Sequence, residues 1–488
     1  MTAGIAVERH PAALARESRR WRRRTPWLTL VACAYAVVQL VLVVPRTGHA
    51  LGWDESVYVS QLDPRTPAAY FSAPRSRGVS YLTAPVVALT DSVLVLRLTL
   101  VALSTKALYC AYRTWRPLLG DATAALAALL FAGLWSAQLA GSQAMPNLWV
   151  ALGAVAVVGW FLRSPGEPRA RWWLAVVVLG ITLVRLPDAG WLALPLLVGA
   201  VCFRSRRHAV PFLLGGLVLG ATPWVAEACL RFGGVTGRLH RSSATEGGMS
   251  WHLNTANAWH SLNGPQLCRP CHIPLTHPEL TLWWLALPLL AAVSLLVAAH
   301  DRRTRPLTLT TLPLLCAFSL SFPYLFLLTY SAPRFLLPAY ALLSLPVAAL
   351  AARVLATGRR TRTVTAVVVL VIGLQLAGQA VLLPGISARV AAVSQRYRTA
   401  AHALNSLGVR PPCLITGPSA LPVAYAAGCA SAELHGNNRS LTRGALLDRA
   451  DHMPFAVLVP RGHQRPRYAH HWTRHRLPGT PWTAYTPR

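Results

Sequence analysis

The sequence is short of charge, and above all of acid. Charged residues make up 13% of its 488 positions, where soluble proteins carry roughly 25%. Aspartate and glutamate together number 16. That composition excludes a conventional soluble enzyme. Lysine is almost missing: Lys106 is the only one, so the net charge of +31 is arginine charge. Part of the bias is what a GC-rich coding sequence produces, so the position of each arginine matters more than the sum. Glycine-rich phosphate loops are absent as well. Thr416-Gly417-Pro418-Ser419 follows a predicted strand but lacks the glycines of a nucleotide loop, so it supports no cofactor assignment. The chain shows no clear internal repeat, a feature expected of many transporters. A cleaved leader is not expected either. The first apolar segment is too long for a signal core, and no small-residue cleavage site follows it.

Long apolar runs, by contrast, fill most of the chain. Hydrophobic residues reach 54%, and the mean hydropathy is +0.41. Membrane helices are expected at about 27–45, 92–112, 121–140, 147–162, 172–186, 189–203, 209–226, 280–299, 307–329, 335–354 and 364–383, about eleven in all. The fifth and sixth are short enough to form one re-entrant unit. Basic clusters flank alternate helices: Arg16 to Arg24, Arg113/Arg116, Arg163/Arg169/Arg171, Arg204/Arg206/Arg207, Arg302/Arg303/Arg305 and Arg359/Arg360/Arg362. A cytoplasmic N-terminus (residues 1–26) places every one of them on the cytoplasmic side, as the positive-inside rule requires. Charge spread over short loops is a topological signal, not a nucleic-acid-binding face. The membrane domain then spans 27–384, with outward loops at 46–91 and 227–279 and an outward turn at 330–334. Residues 385–488 are polar enough to fold in water. Helical spacing over 389–407, strands at 413–417 and 455–459, and a helix at 419–428 predict a small extracytoplasmic α/β domain.

Five of the nine cysteines fall on the outward, oxidising side by this topology. Cys413 and Cys429 are disulfide candidates within the tail. Cys268 and Cys271 are candidates for a local disulfide or a pair of reduced thiols. Their string Cys268-Arg269-Pro270-Cys271-His272 also spells a haem attachment signature, and zinc completed by His240, His252, His260 or His277 is a further alternative. No other feature suggests electron transfer, and the histidine spacings match no standard zinc site. The remaining cysteines fit apolar packing.

Ionisable groups near membrane helices are costly and often functional. Asp54 and Glu55 follow the first helix. Arg75 and Arg77 lie in the first outward loop, and Arg334 lies at the mouth of the tenth helix. Arg97 and Arg185 sit inside helices two and five. A carboxylate can take a proton from an attacking hydroxyl, and arginine forks suit phosphate oxygens. Plainer roles exist for each. Asp54 can cap a helix, and Glu55 can favour its first turn. Arg75 and Arg77 can be solvated or touch lipid head groups. Arg334 can anchor at the interface. Arg97 can be paired inside the bundle, and Arg185 can pair with Asp188.

Four stretches resemble the GT-C superfamily of membrane glycosyltransferases. Trp53-Asp54-Glu55 stands where that superfamily keeps an acidic motif. Leu96-Arg97-Leu98, running on to Tyr112-Arg113-Thr114-Trp115 and Leu119-Gly120-Asp121, is similar to the second and third helices of the protein O-mannosyltransferase and aminoarabinose-transferase branch. Ala144-Met145-Pro146-Asn147 is similar to a stretch of the lipid-linked mannosyltransferases, and Pro333-Arg334-Phe335-Leu336-Leu337-Pro338 to a string near the last helices of several branches. The resemblance covers about 27–355. It implies an all-α polytopic GT-C-like fold, a polyprenyl-phosphate-sugar donor, and inverting transfer to an outward hydroxyl on a glycan, glycolipid or secreted protein. Mannose is the first expectation for the sugar. Asp54 would be the general base, with Glu55 positioning acceptor or donor. Arg334, with Arg75 or Arg77, would bind the lipid phosphate. Some members use a divalent metal, but one acidic pair does not predict one here. The rival expectations are a transporter or lipid flippase, and a membrane-anchored assembly protein without catalysis.

Overall fold

The computed structural model describes residues 26–264, 274–300, 307–357 and 362–487. The N-terminal basic run, the Cys268–His272 string, Arg302, Arg303, Arg305, Arg359 and Arg360 lie outside them.

The chain is a multi-pass membrane protein. Eight described helices are long and apolar enough to cross a membrane, or nine if one bent pair counts as a single span. The first is α1 (Trp27–Thr47). Two short helices, α2 (Trp53–Val59) and α3 (Gly78–Leu89), follow inside the first loop. Next come α4 (Val93–Arg113) and the bent pair α5 (Asp121–Ala132) and α6 (Trp135–Gly141). Then come α7 (Pro146–Arg163), α8 (Pro168–Val184), α9 (Leu186–Cys202) and α10 (Val210–Arg231). The second long loop holds α11 (Val235–Thr245) and α12 (Thr255–Ser261). The bundle closes with α13 (Leu282–His300), α14 (Thr308–Phe326), α15 (Leu337–Thr357) and α16 (Arg362–Ser406).

Burial follows a membrane solvent rather than water. The core between helices is rich in alanine, valine and leucine, including Ala124, Ala127, Ala128, Val155 and Leu196. Small side chains let helices approach closely where no hydrophobic force separates lipid from protein. Val41 on α1, Trp172 on α8, Val218 on α10, Leu296 on α13 and Leu370 on α16 face outward. So much exposed apolar surface is stable only against lipid.

The structure departs from the expected spans in three places. The third, 121–140, bends by 82° between α5 and α6. The fifth and sixth are two separate helices, joined at Arg185 by one extended residue (φ −158°, ψ 93°). Pro187, two residues on, is a natural helix start. The eleventh span and the first helix of the tail are a single helix of 45 residues, α16, with Pro384 inside it. A proline costs one backbone hydrogen bond, which the flanking turns of a long helix absorb.

Beyond α16 lies a five-stranded mixed sheet. Its strands are β1 (Leu414–Thr416), β2 (Ala430–Ala432), β3 (Phe455–Pro460), β4 (Thr473–Arg476) and β5 (Trp482–Thr486), in the order β2-β1-β3-β5-β4. β1 runs parallel to β2 and β3, and β5 is antiparallel to β3 and β4. Helices α17 (Ala420–Ala427) and α18 (Arg443–His452) complete it. One face packs on the end of α16 through Tyr397, Ala400 and Leu404. Cys413 and Cys429 form a disulfide joining the residues just before β1 and β2. Leu421 of α17 enters a cluster with Val57, Phe71 and Val79 of the first loop, and Tyr425 donates to Asp63 at 2.9 Å. The sheet domain and both long loops therefore meet at the same end of the bundle.

Candidate active site

At that end the first loop is built around one buried ion pair. Glu55 is 3% exposed and faces Arg97 from α4. Its Oε2 accepts from Arg97 Nη2 at 2.8 Å, and its Oε1 accepts from Nη1. The same carboxylate accepts the backbone N–H of Gly52 and of Ala144, both at 2.8 Å. Arg97 donates on to the Ser142 carbonyl at 2.8 Å and the Ala50 carbonyl at 3.2 Å. Burial by itself would raise the Glu55 pKa, but the Arg97 charge and these donors hold it below the usual carboxylate range. With both oxygens committed, Glu55 has no lone pair aimed at a reactant. These contacts tie the start of α2 to α4 and to the loop before α7, and Glu55 also lines one of the two cavities beside Asp54. Arg97 likewise belongs to the frame.

The pair leaves its neighbour pointing the other way. Asp54 keeps 29% of its side chain exposed. Its Oδ1 accepts from Arg75 at 2.7 Å, and its Oδ2 accepts from Arg334, 280 positions away, at 2.9 Å. Burial opposes ionisation, yet Arg75 and Arg334 hold the Asp54 carboxyl below its ordinary pKa. Arg75 is itself held in place, its Nε donating to Ser72 Oγ at 3.1 Å and its fork lying over the ring of Tyr58 at 5.1 Å.

Two cavities meet at this carboxylate. The larger is lined by Tyr58, Arg75, Asn147, Arg185, Glu246, Tyr330 and Asn438, among others. The smaller is lined by Gly52, Glu55, Trp135, Ser136, Gln143 and Pro333, among others. Trp53, Asp54, Met145 and Arg334 border both. Arg185 pairs with Asp188 at 3.2 Å and lies over the rings of Tyr324 and Phe335. It reaches the larger cavity because α8 ends there. Gly78 permits this: a Cβ at that position would stand 2.6 Å from the Leu183 carbonyl.

Arg77 is not part of this constellation. It donates to Glu227 at 2.5 Å and to Gln61 at 2.8 Å, and it covers the Phe71 ring at 4.1 Å. Glu227 of α10 also pairs with Arg231 and Arg238. Arg77 thus faces Glu227 and Gln61, and among the described residues it lines neither of the cavities that border Asp54. Among the described residues no group of three or more histidines, cysteines or carboxylates is arranged to hold a metal ion.

Sequence reasoning missed Arg238. It is fully buried and donates to the carbonyls of Ala73, Trp224 and Arg75, thereby setting the strap that carries Arg75. Glu246, bonded to Tyr330, and Asn438 from the sheet domain were missed as well. Their partners lie far off in sequence, so no spacing announces them. Asn147 was visible only as the last residue of the Met145-Pro146-Asn147 stretch.

No family model matches the sequence, and no curated protein matches it. Solved structures do match. ArnT from Cupriavidus metallidurans, bound to undecaprenyl phosphate, superposes with a TM-score of 0.63 at 13% identity, over 94% of this chain and 98% of that one. The oligosaccharyltransferase of Archaeoglobus fulgidus, tethered to an acceptor peptide, gives 0.55 at 12% identity, over 90% of this chain and 70% of that one. The same organism's AglB, with an inhibitory peptide and a dolichol-phosphate, gives 0.50 at 12% identity, over 83% of this chain and 64% of that one. The likeness is one of fold: this chain shares the fold of ArnT and of the oligosaccharyltransferase.

Proposed function

We propose that the chain is a membrane glycosyltransferase that moves a sugar from a polyprenyl-phosphate donor to a hydroxyl acceptor, with Asp54 as general base. The observation that carries this reading is the place of Asp54. An ionised carboxylate stands in the wall between two cavities, with arginines on either side. The fold it shares with ArnT and AglB supports it, since the structures of those proteins hold undecaprenyl phosphate and dolichol-phosphate.

Arg75 and Arg334 both donate to Asp54. A lipid phosphate entering the larger cavity competes for Arg334 and is drawn by Arg185, freeing Asp54 Oδ2. The acceptor reaches that oxygen from the smaller cavity. Its hydroxyl oxygen attacks the anomeric carbon and passes its proton to Asp54. The bond from that carbon to the phosphate oxygen breaks, and the polyprenyl phosphate leaves with the electron pair. Attack opposite the leaving group inverts the anomeric centre. Phosphate is a good leaving group, so no strong acid is required. Mannose remains the first candidate sugar, on the sequence resemblance alone.

We place the cleft on the extracytoplasmic side. Arg113, Arg163, Arg204 and Arg207 lie at the opposite helix ends from Asp54, and the positive-inside rule puts that end in the cytoplasm.

Arg334→Gln tests the donor site. It removes one charge-assisted contact, so undecaprenyl phosphate binding to the purified protein should weaken by roughly 10- to 100-fold. Unchanged affinity would take Arg334 out of the phosphate site. Arg75→Gln tests the base. Arg75 helps hold the Asp54 carboxyl below its ordinary range. The base works ionised, so activity is lost as pH falls through its pKa. Removing Arg75 raises that pKa, and the acid limb of the kcat/KM profile should move to higher pH. An acid limb that stays in place would mean that another group governs it.

A further inference from the structure

One residue of the larger cavity is polar, buried and unsatisfied. Asn147 is 1% exposed, and neither Nδ2 nor Oδ1 of its amide has a hydrogen-bond partner among the described residues. It is the second residue of α7, an 18-residue helix that starts at Pro146 beside the cavity. A buried amide left unpaired at both ends is a cost that folded proteins seldom carry without a ligand or water to meet it. A leucine would fill the same space without that cost.

We infer that Asn147 recognises the donor sugar, by bonding a pair of hydroxyls on its ring. The inference rests on the transferase reading above and adds a specificity residue to it. The amide identifies the ligand class. A carboxamide offers a donor and an acceptor on one plane. An ionised phosphate only accepts, so it would satisfy Nδ2 and leave Oδ1 stranded. Two neighbouring hydroxyls satisfy both, one accepting from Nδ2 and the other donating to Oδ1. Position favours the donor over the acceptor. Asn147 lines the cavity that holds Arg185 and is absent from the lining of the smaller one. A sugar linked to a phosphate held by Arg334 and Arg185 must lie in that same cavity. Sites built to bond a substrate hydroxyl discriminate sharply against analogues that lack it.

The test uses the full-length protein in nanodiscs, as wild type, Asn147→Leu and Asn147→Asp. The probes are undecaprenyl phosphate and undecaprenyl-phosphate-mannose, with ligand-free Tm as a third readout. Wild type should bind the mannosylated lipid more tightly than the bare one. Both variants should bind the mannosylated lipid about 10- to 100-fold more weakly and the bare lipid as wild type does. The ligand-free Tm of Asn147→Leu should hold or rise, because an unpaired amide has been removed. A fall in Tm with no selective loss of the mannosylated lipid would assign Asn147 a structural role and overturn the inference. Equal binding of both lipids by wild type would also overturn it, while leaving the transferase reading intact. Binding of neither lipid by wild type would overturn the transferase reading and the inference together.

Discussion

Asp54→Asn should lower the transfer rate by about 10³-fold while donor lipid binding stays within a few-fold of wild type. Asparagine keeps the shape, but its single oxygen accepts from only one of Arg75 and Arg334, which donate to different oxygens of Asp54. It cannot take the acceptor's proton, and general-base catalysis is worth ~10²–10⁴ in rate. Single-turnover transfer from a radiolabelled polyprenyl-phosphate-sugar in nanodiscs measures this directly. The charge change also separates base from anchor. If Asp54 served only to hold Arg75 and Arg334 apart, the substitution would change donor affinity first and turnover little. A variant that keeps wild-type turnover would remove Asp54 from the chemistry.

Arg97→Met should cost more folded protein than any other single change discussed here. It leaves Glu55 ionisable and buried, with two backbone donors in place of a matching charge. Breaking one side of a buried ion pair costs roughly 3–5 kcal/mol, because the other charge stays behind uncompensated. The double variant Glu55→Gln/Arg97→Met should recover most of that loss, since no charge then remains buried. Thermal unfolding of the purified variants, followed by intrinsic fluorescence, closes the cycle. If the double variant is as unstable as Arg97→Met alone, the pair does not act as a unit. The expected recovery of folding need not restore turnover. Glu55 sets the start of α2, and α2 carries Asp54.

These two predictions also mark what the sequence could and could not disclose. Apolar runs long enough to span a bilayer are a local signal, so helices stand at every expected span. The 82° break between α5 and α6 is less local. Gly133 and Leu134 are unremarkable in sequence, and the bend is held by tertiary contacts such as Gln379 accepting from the Trp135 N–H. Asp54 and Arg334 were each legible as charges beside a membrane helix. That they touch was not, because 280 residues separate them. The same distance problem hid the pairing of Arg77. Its partner Glu227 lies 150 positions away at the end of an apolar helix, where nothing in the spacing points back to the first loop. Adjacent acids were also hard to tell apart. Asp54 and Glu55 share a motif, but consecutive helical residues face about 100° apart. Glu55 therefore turns its carboxylate to Arg97 while lining only the smaller cavity, and Asp54 borders both cavities.

The most direct test of the central claim is made in cells. A strain lacking this chain is complemented with wild type or Asp54→Asn at equal membrane levels, and envelope glycans and polyprenyl-phosphate-sugars are measured by mass spectrometry. The account predicts that one glycan loses a sugar, that the matching lipid-linked sugar accumulates, and that only wild type reverses both. Full restoration by Asp54→Asn, or an unchanged glycan profile in the deletion strain, would contradict it.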